Sequence, residues 1–594
     1  MIRAVGASGE STVDGALAVA PEEVDALMRQ RARVLAPGAA WGIVTRGGLA
    51  HSGGCGVARL GGAAPGPDTR FRIASVTKSF TAAAVVLLRD RGLLRLDDPV
   101  TTHVPEWTTP PRPAGPPITL RQLLTMSAGF AGDDPWADRQ ESMAAADFTD
   151  LLNAGVCASR PAGIAYEYSN LGYAILGRVV SNVAGKEYRQ VVTDEILRPL
   201  GMNGSTYDAT ALGAADAIGY RRDGECWTAL PMSGPGAFSA IGGLVSSVAE
   251  LARWIRFHTD AWTDGADETV LPAASRRDMH QAHRAISTSV LGGSPLPVPA
   301  VIARGYGYGL EVQDDLRFGR IVRHSGGYPG FSSHVAWHQA SGLGVITLMN
   351  ATYAGAGGPA SEVMDLLLRD MRPQVITPWP ETLDAKATLT GLLRSFDASA
   401  AAPQLLAANL EMDASWEARR TVIEEAVGTV GPVGEEVPGS VRSGSGAAVQ
   451  WSLTGAAGRL DVGITMTPTV PPMVQSLTVA AVSTPAAELL ARAREVVRWL
   501  AGTARAPAPA GLDRTDEVRL IRLHSSGIRL GRVLRCSGPQ AAVIAIDQRD
   551  RTVAELDLAV DATIDGPGRI RCALRRMTLS TADLPVVVTG VNRP

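Results

Sequence analysis

Lysine is almost absent from this chain of 594 residues: among 56 Lys and Arg residues, only Lys78, Lys186 and Lys386 are lysine. Cysteine is equally scarce. Cys55, Cys157, Cys226, Cys536 and Cys572 are odd in number, far apart and without a CxxC pair. That excludes a disulfide framework and reads as isolated thiols. No apolar run reaches the roughly 18 residues of a membrane span. The nearest candidate, Ala237 to Ile255, is broken by Gly242, Gly243 and Glu250. The stretch MIRAVGASGESTVDGALAVA has one arginine and no continuous apolar core before Pro21. It does not read as a secretory signal, so the cytoplasm is the expected compartment. A formal net charge of −3 gives no ground for nucleic acid or an anionic membrane as partner.

Histidine is sparse too. His334 and His338 share a strand face and His280 and His283 lie about a turn apart, but no cysteine or carboxylate pattern completes either pair. No metal site is expected. Gly305-Tyr-Gly-Tyr-Gly309 resembles part of a dinucleotide loop but precedes a strand instead of joining strand to helix, so no cofactor is expected.

What is present is globular. Hydrophobic residues make up 45% and charged residues 19%, the balance of a soluble folded protein. The length exceeds what one core organises, so two or three domains are expected. An amphipathic helix near Pro21–Val34 precedes two strands, Trp41–Val44 and Leu49–Val57, joined at Gly47-Gly48. A helix follows from Ser75, and another spans Thr119–Leu124. More helices run to about Phe257, and strands return at Ile321–His324, Ser333–His338 and Gly344–Met349. A helix over Ala360–Met371 closes this part. Strands at both ends around central helices imply one sheet assembled from both termini.

The run Pro373–Pro380 (PQVITPWP) punctuates a boundary. Beyond it, helices near Leu383–Phe396 and Trp416–Val427 precede strands near Ala448–Leu453, Arg459–Met466 and Gln475–Val482. A helix over Pro485–Leu500 and a linker, Arg505–Gly511, lead to a strand-rich end, Val518–Thr589. The expected domains are 1–372, 383–484 and 485–594. No cluster beyond Pro380 suggests chemistry.

The rare lysine at 78 stands three residues after Ser75, in Ser75-Val-Thr-Lys78, heading the apolar run Phe80–Leu88. Ser75 is expected to be a helix N-cap, at the positive end of the dipole. Residues i and i+3 share a helix face, so Lys78 should reach the Ser75 hydroxyl. Unlike arginine, a buried lysine can lose its proton. Ser75 is therefore a candidate nucleophile, and a nucleophile needs a base and an oxyanion site. No GxSxG elbow occurs. Tyr168-Ser169-Asn170, before an apolar helix, and Arg323-His324-Ser325-Gly326-Gly327, a strand followed by glycines, are the candidates for the missing parts.

With these residues in place, positions from about 20 to 371 resemble the serine β-lactamase-like hydrolase superfamily. The branch is that of class C β-lactamases, D-Ala-D-Ala carboxypeptidases, D-aminopeptidases and esterases. Its SxxK, YxN and K/H-[ST]-G signatures match Ser75-Lys78, Tyr168-Asn170 and His324-Gly326, in order and 93 and 156 residues apart. Leu123-Leu-Thr-Met-Ser-Ala-Gly129 and Gly242–Leu251 are weaker echoes. The resemblance implies an α/β (α+β) β-lactamase/transpeptidase-like fold. That is an antiparallel sheet flanked by helices, with a helical subdomain; the C-terminal α+β and β-rich region would be accessory.

The resemblance also implies roles. Ser75 would be acylated. Lys78 and Tyr168 would share its proton, with the lysine ammonium lowering the phenol's pKa. Asn170 would bind Lys78 or the substrate amide. The backbone N–H groups of Ser75 and Gly327 would form the oxyanion hole, and His324, Ser325 and Gly326 would line the substrate site. β-Lactam specialists typically carry lysine where this chain has His324, which tips the expectation toward peptidase, amidase or esterase work on a small-molecule or peptide substrate, D-configured peptides included. If His324 carried charge, carboxylate substrates would show a pH limb near its ordinary value of about 6.5. An acyltransferase or peptide cyclase, a β-lactamase and a non-catalytic sensor are the alternatives; the oligomeric state is not legible.

Overall fold

The computed structural model describes residues 19–113, 115–291, 300–315, 317–369, 377–395, 402–501, 528–536, 541–548, 551–560 and 570–576. The stretch before Val19, the boundary residues 373–376 and the linker Arg505–Gly511 lie outside them. The chain divides into two compact units, residues 1–290 with 301–372, and residues 291–300 with 373–594.

In the first unit, eight strands form one sheet. Their order is Gly48–Gly56, Gly38–Thr45, Gly344–Met349, Phe331–His338, Gly319–Tyr328, Glu311–Asp315, Ala300–Tyr306 and Arg284–Leu291. Pairing from Gly48–Gly56 through Ala300–Tyr306 is antiparallel. The N-terminal hairpin thus pairs with the last strand, which is how two ends of a chain make one sheet.

Alternation along Gly38–Thr45 divides the two faces. Ala40 and Val44 point into the large core containing Trp254 and Ile255 of the helix Val248–Asp260. Trp41 and Ile43 point into a second core with Val24 and Met28 of Pro21–Leu35 and Val363 and Met364 of Gly357–Leu368. Covered on both sides, Phe331–His338 and Gly344–Met349 are buried at every position.

The apolar helix after Ser75 spans Thr77–Asp90 and is buried from Thr77 to Leu88. Phe80 stacks on Trp254 with ring centroids 3.9 Å apart. The Thr119 side chain caps the helix Leu120–Leu124, with Gln122 completing a capping box. One expectation is corrected. Ser75 is not the N-cap; it lies in a 3-10 turn, Ala74–Val76, ahead of a helix whose Val76 N-cap makes no side-chain bond. Capping would engage the Ser75 hydroxyl with a backbone N–H; the turn leaves it for side-chain partners.

In the second unit, helices Pro380–Ser395 and Trp416–Val430 pack on an antiparallel sheet that includes Ala448–Gly455, Gly458–Met466 and Val474–Ser483. Leu389, Leu393, Val430, Trp451 and Leu460 share that core. The helix Ala487–Leu500 packs through Leu489, Val496 and Leu500 on a four-stranded antiparallel sheet drawn from Ile528–Arg576. Among the described residues no helix is long and apolar enough to cross a membrane.

Candidate active site

The Ser75 turn is wedged between sheet and helices. Ile73 N–H donates to Leu244 O at 2.9 Å, and the Ser333 hydroxyl donates to Ile73 O at 2.6 Å. Ala74 adopts φ +50°, a costly conformation for a residue with a Cβ. Gly326 explains how the strand Gly319–Tyr328 passes so close. A Cβ there would sit 2.5 Å from Ile73 O and 2.9 Å from the Ala74 Cβ, and would strike the Ser333 hydroxyl. Gly326→Ala should therefore push the strand off the Ser75 turn, costing about 1–3 kcal/mol of stability. Thermal denaturation and ester turnover, falling together, check this.

Lys78 is fully buried. Its Nζ lies 3.0 Å from Ser75 Oγ, 2.6 Å from Asn170 Oδ1 and 2.8 Å from the Ile241 carbonyl. Burial, opposed by Asp138, Asp134 and Asp133, brings its pKa down to about 8. Asn170 opens the helix Asn170–Ala184, whose N-cap is Ser169. Asp133 holds that helix end by accepting the N–H groups of Asn170 at 2.7 Å and Leu171 at 2.8 Å. The Asn170 amide nitrogen donates to Asp134 at 2.6 Å, which turns its oxygen toward Lys78. Tyr168 approaches the Ser75 hydroxyl, and its ring centroid is 5.1 Å from Lys78 Nζ.

The structure thus gathers Ser75, Lys78, Tyr168, Asn170 and the His324–Gly327 strand at one place. The chain matches the description of the beta-lactamase family over residues 24–368. It belongs to the beta-lactamase family. Protein flp of Staphylococcus aureus (strain MW2) is 27% identical over 317 residues, 52% of this chain and 57% of that protein. The chain therefore spans just over half the length of that relative. Penicillin-binding protein 4 of Amycolatopsis lactamdurans is 30% identical over 346 residues, 56% of this chain and 84% of that protein. Among solved structures, the octameric penicillin-binding protein homologue from Pyrococcus abyssi superposes with a TM-score of 0.50 at 22% identity. That match covers 76% of this chain and 92% of the homologue, and shows a shared fold.

Within this beta-lactamase-family site, one charge expectation is corrected and the conditional charge on His324 is disfavoured. Tyr168 is no phenolate, because burial first, and then the field of Asp134, hold its pKa well above the usual tyrosine value. His324 is no imidazolium. Its Nδ1 faces the Ser325 carbonyl at 2.7 Å and must donate, and in the neutral ring that burial favours Nε2 accepts the Tyr306 hydroxyl at 2.9 Å. Burial, with Lys78 and Arg323 nearby, pushes its pKa down to about 3. Ser325 is exposed and its hydroxyl hydrogen-bonds His334 Nδ1 at 2.8 Å. This second Ser–His pair has a weak base, since burial drops His334 to about 3.

Several neighbours are not legible in the sequence motifs. The Ile241 carbonyl falls just before the Gly242–Leu251 echo, and Met126 of the other echo accepts the Glu167 N–H at 2.8 Å, shaping the Tyr168 approach. Buried Glu141 accepts Tyr328 at 2.7 Å and Ser239 at 2.9 Å and faces Arg72 at 3.4 Å. Tyr353 lies over Gly327, its Cε1 2.9 Å from where a Cβ would be. Ala74, Met126 and Tyr353 are the positive-φ non-glycine residues among those described, and all three border this site. The acidic run Asp133-Asp134…Asp138…Glu141 is the one signal a linear pattern offers for this wall; a strained tyrosine leaves none.

Proposed function

We propose that the chain is a serine acyl-enzyme hydrolase that cleaves amide or ester bonds of small peptide-like substrates. The hydrogen-bond inventory around Lys78 carries this reading. Asn170 Oδ1 and the Ile241 carbonyl can only accept. Below its pKa of about 8 the lysine ammonium donates to both and to Ser75 Oγ. Once deprotonated above that pH, the lysine meets both with its two N–H bonds, and its lone pair is left facing Ser75 Oγ at 3.0 Å. That is the arrangement of a general base on a nucleophile.

Lys78 would take the Ser75 proton as Oγ bonds to the carbonyl carbon, and the oxyanion would rest on the N–H groups of Ser75 and Gly327. The C–N or C–O bond then breaks while Tyr168, a neutral phenol, relays the proton from Lys78 to the leaving group. Water repeats the sequence in reverse to free the acid. The neutral His324 offers no cation to a β-lactam carboxylate, so amides and esters are favoured over β-lactam specialisation. A panel of D- and L-aminoacyl amides, short esters and a β-lactam tests the reading; turnover of the β-lactam alone would overturn it.

Two pH results are expected. The base works when deprotonated, so kcat/KM for a neutral ester should rise as pH rises through about 8, the value to which burial lowers Lys78. A flat profile across that range would remove Lys78 as base. Between roughly pH 5 and 8 His324 stays neutral, so any difference in profile between a free-carboxylate substrate and its methyl ester should persist unchanged in His324→Gln. A limb near about pH 6.5 in the carboxylate profile alone that disappears in His324→Gln would restore the imidazolium. His324→Lys should shift preference toward the carboxylate substrate.

A further inference from the structure

Asp138 follows the short helix Asp134–Ala137 and is only 3% exposed. One carboxylate oxygen accepts the Tyr353 hydroxyl at 2.7 Å. The other, Oδ1, is buried without a hydrogen-bond partner. Buried polar atoms are nearly always satisfied, so an exception at a cleft asks for a ligand. Among the described residues no cation forms an ion pair with Asp138. Lys78 is near enough for Asp138 to be the largest carboxylate field acting on it, but its Nζ is committed to Ser75, Asn170 and Ile241. Burial, with Asp134 and Asp133 adding to it against Tyr353 and Lys78, pushes the Asp138 carboxyl up to about 7. An incoming positive charge would reverse that.

The pair also has a definite place. Tyr353 is 44% exposed, and its ring lies against Gly327 while its hydroxyl holds Asp138. We propose that Asp138 recognises a protonated amine on the acyl part of the substrate, so that the site takes aminoacyl amides or esters whose α-amino group is free. This rests on the acyl-enzyme reading above, in which the carbonyl oxygen sits at the Gly327 N–H. An α-ammonium lies two bonds from that carbonyl carbon, and Tyr353 links Gly327, where the carbonyl oxygen would sit, to Asp138. An ammonium brings three donors and no acceptor, the complement of an unpartnered carboxylate oxygen. A substrate carboxylate would meet Asp133, Asp134 and Asp138 with His324 neutral and Lys78 already engaged.

The test compares alanyl p-nitroanilide, in both D and L forms, with its N-acetyl analogue and with propionyl p-nitroanilide, which has no amine. Wild type should prefer the free amine. Asp138→Asn should lower the ratio of kcat/KM for the alanyl to that for the propionyl substrate by about 10- to 100-fold, the worth of a charge-assisted hydrogen bond. The ratio cancels what losing its largest carboxylate field does to Lys78, which acts on both substrates alike. Tyr353→Phe keeps the ring and should preserve the preference for the amine. Equal turnover of all three substrates by wild type overturns the inference while the serine chemistry stands. Equal losses on all three in Asp138→Asn, matched by Tyr353→Phe, make Asp138 a support for Tyr353 and also overturn it. No turnover and no fluorophosphonate label on Ser75 defeat the acyl-enzyme reading, and this inference with it.

Discussion

Ser75→Ala should lose at least about 10³-fold in kcat on any ester or amide that wild type turns over, with little change in thermal stability. The hydroxyl caps no helix, and the turn that carries it is held by Ile73, Ser333 and Leu244 through other atoms. Losing one hydrogen bond costs about 1 kcal/mol, and a neutral Lys78 keeps both obligate acceptors when Ser75 Oγ is gone. A labelled fluorophosphonate should mark Ser75 in wild type and leave the variant unmarked. The competing serine is Ser325, exposed and paired with His334. Label on Ser325, or turnover surviving in Ser75→Ala, would move the nucleophile to the strand Gly319–Tyr328.

Lys78→Arg should be nearly as damaging as Lys78→Ala, although it keeps the charge. Arginine stays protonated and has no lone pair to accept the serine proton. Its larger planar head would also have to fit where Nζ now lies 5.1 Å from the Tyr168 ring and 5.8 Å from that of Tyr173, at a position where the lysine has no exposed surface. The measurement is kcat/KM on a short ester for the two variants and wild type. If Lys78→Arg retains more than about a tenth of wild-type kcat/KM, a loss under roughly 1.4 kcal/mol, the lysine is a fixed cation and the neutral-base mechanism fails.

Both results concern residues that the linear chain already singles out, because their signals are local. A lysine three positions after a serine, at the head of an apolar run, is a property of one helical turn in a chain nearly devoid of lysine. Helix and strand positions follow from periodicity in the same way. Pro21–Leu35, the hairpin Gly38–Gly56 and the closing strands stand where alternation and glycine place them. Motif order along the chain is enough to place the family.

What tertiary structure decided is protonation and partnership, since both depend on atoms far apart in sequence. The Ile241 carbonyl is 163 residues from Lys78, and no pattern in either segment announces the contact; yet that acceptor takes one of the lysine's N–H bonds. Tyr168 reads as a phenolate by its motif and is a phenol in the fold, because burial and the field of Asp134 favour the neutral form. His324, whose charge the motif leaves open, is neutral because burial beside Lys78 and Arg323 disfavours the imidazolium, even though the Ser325 carbonyl would favour it. Asp138 and Tyr353, 215 residues apart, become a pair only when the sheet brings Gly327 beneath the tyrosine ring. Residue identity and spacing determine which chemistry this chain can attempt; burial and long-range hydrogen bonds, which a linear pattern does not encode, determine the charge each group carries when it does.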